Sequence, residues 1–338
     1  MDQQDRTTIH VTGEDTIEQN PQGFVTAALN QMFQDEERGF DVFIIMKAED
    51  SIVKHFLFYE HGEQSFKKRI EDSISATVKE KFLAEDAEYA MAENVADNQN
   101  KFYLIKQSHE YNPFEFLSIP EENIVAFSVL ERDSAEAIIF RFRRDGKTIW
   151  AYQYIASVNI PNKKKENFLA KVYATEHQDR FVEMDELLFP ITKKINLLVI
   201  DDYIITKDTS LMQRHFKFNE FISATAGKVV VDITALNLVS NSEKLTDYIN
   251  RTQTKYAKKM MRIKKYHVIT KSADELLEKV KTVPRWEGVF DVTEDKINLR
   301  TYQDVENLID LFDERFTISP ITGDEFDTDV KKLVGPLS

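Results

Sequence analysis

Cysteine is absent from this chain of 338 residues, which excludes disulfides, thiolate metal sites, iron–sulfur clusters and a cysteine nucleophile together. Glycine is scarce, with 9 residues, and no G-x-x-x-x-G-K-[ST] loop or G-x-G-x-x-G turn occurs. A backbone cradle for nucleotide phosphates is therefore not expected. No apolar run approaches the roughly 18 to 20 residues that cross a bilayer. The polar start MDQQDRTTIHVTGED has neither the basic nor the apolar segment of a secretory signal, and a cytoplasmic chain is the expectation. The seven histidines are dispersed, without H-E-x-x-H or an i, i+4 pair, so no metal or other cofactor is predicted.

What is present is enough apolar material, 42% of residues, for one large core or two smaller ones. The net charge of −14 speaks against a polyanionic partner only if it is evenly spread. It is not: residues 1–140 carry about −16, residues 141–300 about +8 and residues 301–338 about −6, an asymmetry that marks separate tasks.

Periodicity gives an α+β chain: a small N-terminal α+β unit, then a domain with a β-meander and a helical C-terminal part. Residues 1–22 are polar and end in NPQG, reading as a flexible lead-in. FVTAALNQMF and EQSFKKRIEDSISATVKEKFLAED read as helices, and FDVFIIMK, KHFLFYE and KFYLIKQ as strands. AEYAMAENVADNQN reads as an acidic helix. YNPFEFLSIPEEN, residues 111–123, divides the chain into 23–118 and 119–338. Beyond it, NIVAFSVL, AEAIIFRFR and KTIWAYQYIA read as strands, the last two joined at RDG. INLLVI, DD, YIIT, KDTS and LMQRHFKF continue the alternation of strand and turn. From about residue 242 the chain reads helical, with capping-box patterns at Ser272 to Glu275 and Thr301 to Asp304. GVFDVTEDKINL between them reads as a hairpin.

Seven basic residues fall in fifteen positions with no acid among them: Arg251, Lys255, Lys258, Lys259, Arg262, Lys264 and Lys265. On one continuous helix all but Lys264 share an arc of about 120°, opposite Leu245, Ile249, Tyr256, Met260 and Ile263. Such a ridge suits the phosphate backbone of a nucleic acid, whose condensed counterions it would release. A solvated face or a seat for an acidic partner has the same pattern. Arg141 and Arg143 on one strand face, and Lys163, Lys164 and Lys165, extend the basic set. Trp150, Tyr152 and Tyr154 are candidate base-stacking aromatics, though strand aromatics are more often core. No base-reading motif is present, so binding directed at the DNA backbone, largely non-specific, is the expectation.

A metal-dependent nuclease is the competing reading. It would use the paired acids Asp201 and Asp202, or the E-x-K set of Glu294 and Lys296. The plainer account of Asp201 and Asp202 is a hairpin turn, which Asp favours by bonding nearby amides.

The stretch KKENFLAKVYATEHQDRFVEMDELLFPITKKINLLVIDDYIITKDTSLMQRHFKFNEFI and the later LIDLFDERFTISPITGDEF resemble the Kiwa anti-phage KwaB-like family. The likeness lies in a lysine-bearing segment, an apolar strand, an acidic turn, a second strand and the HFKFNEF element, across roughly residues 120–335. It implies a cytosolic effector of a two-component antiviral defence system that binds DNA, forms a homodimer and joins a membrane-associated complex through a KwaA-like small transmembrane protein. It implies no catalytic residues and no cofactor.

Overall fold

The computed structural model describes residues 17, 19–34, 38–47, 52–57, 66–92, 100–118, 120–155, 174–177, 180–183, 191–265, 272–313, 316–318 and 325–327. The fold is α+β. Its described residues form two compact units, one of residues 20–89 and 101–208, the other mainly of residues 209–338. Among the described residues no helix is long and apolar enough to cross a membrane.

The strands of the first unit lie in a sheet of eight in the order β2-β1-β5-β6-β9-β10-β4-β3. These are β1 (Gly39–Met46), β2 (Ile52–His55), β3 (Tyr89–Met91), β4 (Phe102–Lys106), β5 (Ala135–Arg144), β6 (Lys147–Tyr154), β9 (Leu197–Ile200) and β10 (Tyr203–Thr206). A further hairpin joins β7 (Ala174–His177) to β8 (Arg180–Glu183). All eight residues of β9 and β10 are buried, as continuous apolar strands covered on both faces must be. Helices α1 (Pro21–Phe33) and α2 (Phe66–Phe82) belong to the same unit. Ile70, Ile74, Val78 and Phe82 are buried at every fourth position of α2, the spacing of one helix face. Phe33 meets Phe142 edge to face at 5.1 Å.

β1 pairs with β5 along its whole length, Asp41 opposite Arg141. Strands from both sides of residues 118 and 119 therefore share one sheet, and the divide drawn from the sequence runs through a hydrogen-bonded layer. Pro21 at the first helical position and the Asn20 cap start α1 inside the span of residues 1–22 expected as a lead-in. Residues 1–16 lie outside the described set.

Other expectations are also corrected. Residues 89–91, read as helix, form β3. NIVAFSVL is not a strand: 3-10 turns at Glu121–Asn123 and Val129–Ser134 flank a single bridge at Ala126. LMQRHFKF is helical, lying in α3 (Thr209–His215) and the start of α4 (Phe218–Ala235). In α4 the buried Ile222, Ala226, Val229, Val230 and Ile233 follow the 3.6-residue period, so burial on one side overrides the weak helix propensity of its β-branched residues.

The second unit packs α4 with α5 (Glu243–Arg251), α6 (Gln253–Lys265), α7 (Ala273–Thr282) and α8 (Tyr302–Phe312) around Val229, Ile233, Leu245, Met260, Ile263, Leu308 and Phe312. A small sheet of β11 (Val239–Ser240), β13 (Lys296–Asn298) and β12 (Val292–Thr293) closes it. A separate hairpin pairs β14 (Phe316–Ile318) with β15 (Glu325–Asp327). The helix expected over 242–265 is two helices. Thr252 leaves helical geometry at φ −117° and ψ 23°, and its hydroxyl donates to the Tyr248 carbonyl at 2.7 Å, the local competition by which threonine disturbs helices.

Both capping boxes form. At α8 the Thr301 hydroxyl accepts from the Asp304 amide at 3.2 Å, and the Asp304 carboxylate accepts from the Thr301 amide at 2.7 Å. Thr301→Ala should cost about 1 kcal/mol and Thr301→Asp much less; urea denaturation midpoints of the two variants check this.

Candidate nucleic-acid interface

The break at Thr252 places Arg251 on α5 and the other basic residues on α6, so the arc computed for one straight helix does not hold. Tyr256, Met260 and Ile263 are buried as expected. The opposite side is not uniformly solvent, because α8 presents Glu306, Asp310 and its C-cap Asp313 to this region, spaced four and three residues apart.

Arg262 is the largest departure. Expected on the ridge, it is buried, and its guanidinium donates to both oxygens of Asp313, Nε to Oδ1 at 2.9 Å and Nη2 to Oδ2 at 2.7 Å. Asp313 sits at the carboxyl end of α8, where the helix dipole disfavours an anion. Arg262 supplies the charge that makes the position tolerable. Lys259, with a side chain only 15% exposed, donates to Asp310 at 2.5 Å and lies 5.4 Å from the centre of the Tyr256 ring. The Tyr248 and Tyr256 hydroxyls both donate to Glu306. Burial, with the Glu306 charge beside it, pushes the Tyr256 phenol up to about 12, so it stays a donor at neutral pH. Arg251 is exposed, pairs with Asp247 at 3.1 Å and stacks 5.5 Å from Tyr302.

Three of the six ridge residues are thus held by acids, one of them in the core. The side chains of Lys255, Lys258 and Lys265 lie outside the described set, as do Lys163, Lys164 and Lys165 entirely. Lys264 is exposed.

Arg141 and Arg143 share a face of β5, as strand alternation predicts, and both bond Asp41 on β1, at 2.7 and 2.9 Å. Lys67 approaches the same carboxylate at 3.8 Å. Arg141 is buried, its guanidinium 4.9 Å from the Phe43 ring and 5.5 Å from that of Trp150, so it serves the core. Trp150 is half-buried in this packing and Tyr152 is buried. Arg143, with a side chain 46% exposed, is the member of the pair that solvent reaches.

Asp201 and Asp202 form the exposed two-residue turn between β9 and β10, with Asp201 at φ 49°, a conformation aspartate tolerates. Glu294 and Asp295, both at φ 54° and exposed, form the turn between β12 and β13. Two positive-φ residues there match the type I′ hairpin. Lys296 donates to Asn237 at 2.7 Å. Among the described residues no three His, Asp or Glu side chains gather as a metal site.

The counterions are what sequence reasoning missed. A signal existed: Glu306, Asp310 and Asp313 repeat at helical spacing on the last strongly apolar helix, complementary to the basic spacing of α6.

Removing either member of the Arg262–Asp313 pair leaves a buried charge alone, so Arg262→Ala or Asp313→Ala should destabilise the chain by about 3–5 kcal/mol. Arg251→Ala, which breaks an exposed pair, should cost less than about 1 kcal/mol. Chemical denaturation of the three variants distinguishes these values. Burial pushes the Asp41 carboxyl up, but the hydrogen bond from Arg141 and the charges of Arg141, Arg143 and Lys67 outweigh it and hold it below its ordinary value of 3.8. A depressed carboxylate contributes stability that is fully present above its unfolded value and is lost as pH falls through its folded value. Stability should therefore drop on acidification below about pH 3.8, and Asp41→Asn should be weaker at pH 7 with a smaller drop. Denaturation curves from pH 7 down to 2 read both.

No curated protein and no solved structure matches this chain. A family model does, that of the Kiwa KwaB-like proteins, over residues 132–322. The match takes in β5, β6, β9 and β10 of the sheet and all of the helices α3 to α8. It covers more than half of the chain, which therefore belongs to the Kiwa protein KwaB-like family of anti-phage defence proteins.

Proposed function

We propose that this KwaB-like chain is a non-catalytic defence effector that binds DNA largely without regard to sequence. In this reading it acts as a homodimer recruited to the inner face of the cell membrane by a KwaA-like small transmembrane protein. The observation that carries the DNA reading is an imbalance of charge. Residues 251–265 hold seven cations and no acid, and three carboxylates, Asp247, Asp310 and Asp313, pair with Arg251, Lys259 and Arg262. Lys255, Lys258, Lys264 and Lys265 complete the seven. A polyanion answers such an excess, because each phosphate neutralised releases condensed counterions.

Arg262 and Arg141 are removed from the contact set, since both are buried structural cations. The candidate contacts become Lys255, Lys258 and Lys265 in the second unit, with Arg251 and Lys259 paired to acids, and, taken separately, Arg143 and Lys163 to Lys165 in the first. No geometry among the described residues favours the nuclease reading, whose acids lie in two exposed turns. The dimer and the membrane partner are supported by family membership.

The test is a gel-shift titration at two salt concentrations. Wild-type chain should retard duplexes of unrelated sequence equally. The triple variant Lys255→Glu, Lys258→Glu, Lys265→Glu should lose at least about tenfold in affinity, and its log–log salt slope should be shallower by about 2 to 3. Failure of the wild type to retard DNA at low salt would end the proposal, as would cleavage of plasmid with Mg²⁺ that Asp201→Asn abolishes.

A further inference from the structure

Lysines from three separate parts of the first unit meet at one end of its sheet. Leu197 pairs with Thr206, and Thr206 with Tyr103, so the residues just before β9 and just after β10 lie together beside Phe102 of β4. Lys81, in the last turn of α2, reaches the same place and donates to the Ile195 carbonyl at 2.6 Å. Its ammonium lies 5.4 Å from the centre of the Phe82 ring, and that of Lys207 lies 4.6 Å from the centre of Phe102. The two buried rings have their centres 4.7 Å apart. Lys194 adjoins the carbonyl that Lys81 bonds and, like Lys207, is exposed.

The charges that act on the Lys81 ammonium are those of Lys207, Lys194 and Asp208. Burial first, and then the two lysines, hold it below its ordinary value of 10.5; Asp208 pulls the other way without reversing the shift. Holding like charges together in this way costs stability. The dipole of α2 accounts for a cation at Lys81. It accounts for neither Lys194 nor Lys207, which stand outside the helices. The backbone that carries those two is pinned, because the Thr206 hydroxyl donates to the Asn196 carbonyl at 3.1 Å and accepts from the Asp208 amide at 2.9 Å. A cluster held in place by its scaffold pays little ordering entropy on meeting an anion.

The geometry points to Lys81, Lys194 and Lys207 as a contact for the phosphate backbone of DNA, built by the first unit from residues other than those of α6. This contact rests on the DNA reading above and adds a place for the strand that the basic runs of the sequence do not mark. Phosphates lie against the exposed Lys194 and Lys207, and the half-buried Lys81 gains the negative neighbour that Asp208 alone does not supply. Ammonium groups meeting phosphates carry no base readout, so the contact is blind to sequence.

The test uses the full chain and a short duplex, read by fluorescence anisotropy at two salt concentrations. Lys194→Glu with Lys207→Glu should lose at least about tenfold in affinity, with a salt slope shallower by about 2. Lys194→Arg with Lys207→Arg, which keeps both charges, should bind as the wild type does. Lys194→Glu alone should lose more than Lys147→Glu, the same change of charge at the opposite end of the sheet. In chain carrying ¹³C-labelled lysine, the NMR titration of Lys81 should move upward when duplex saturates the protein. A purely structural cluster would leave that titration unmoved, and the measurement decides the matter should the double Glu variant not fold. Undiminished binding by the double Glu variant, an equal loss in Lys147→Glu, or an unmoved Lys81 would overturn this contact while leaving the wider DNA reading in place. Absence of duplex binding by the wild type would end both.

Discussion

The Arg262–Asp313 pair governs what the basic part of this chain is able to do. A guanidinium taken out of water needs a fixed counterion, and a carboxylate at the end of a helix needs a fixed cation. Each satisfies the other in one bidentate contact between α6 and α8. The contact fixes the rotation of α6 about its axis, and with it Lys259 meets Asp310 and Tyr256 meets Glu306. Which cations remain for another molecule is thus decided by a folding interaction made with residues about fifty positions away.

Asp41 imposes the same logic on the sheet. One mostly buried carboxylate gathers Arg141, Arg143 and Lys67. Arg141 is further enclosed by Phe43 and Trp150, so its charge never reaches the surface, while Arg143, two residues on along the same strand face, stays half in solvent. Alternation tells which residues share a face. Whether that face is wet depends on what packs over it.

Local chemistry was legible in the sequence. Asp-Gly between two β-rich runs specified the β5–β6 turn, two adjacent aspartates between apolar tetrads specified the β9–β10 turn, and both capping boxes were readable from four residues each. Elements stabilised by distant partners were not. Helix α4, rich in Val, Ile and Thr, is held by its buried face, and Thr252 interrupts a helix through one side-chain bond without a Pro or Gly to mark it. The β1–β5 pairing joins residues a hundred positions apart, and no composition shift between 39 and 144 announces it. For the candidate interface, the basic run itself was plain. Its sorting into structural and available cations needed the acids of α8, which the charge tally had placed in a separate C-terminal block.

That block is better counted with the helices it packs against. Asp310 and Asp313 are counterions of Lys259 and Arg262 on α6, and Glu306 accepts from the Tyr248 and Tyr256 hydroxyls, so the excess of about +8 in residues 141–300 overstates the charge a polyanion would meet. At a net charge of −14, a polyanion would be attracted only where cations outnumber nearby acids within about a Debye length, roughly 8–10 Å at ordinary salt.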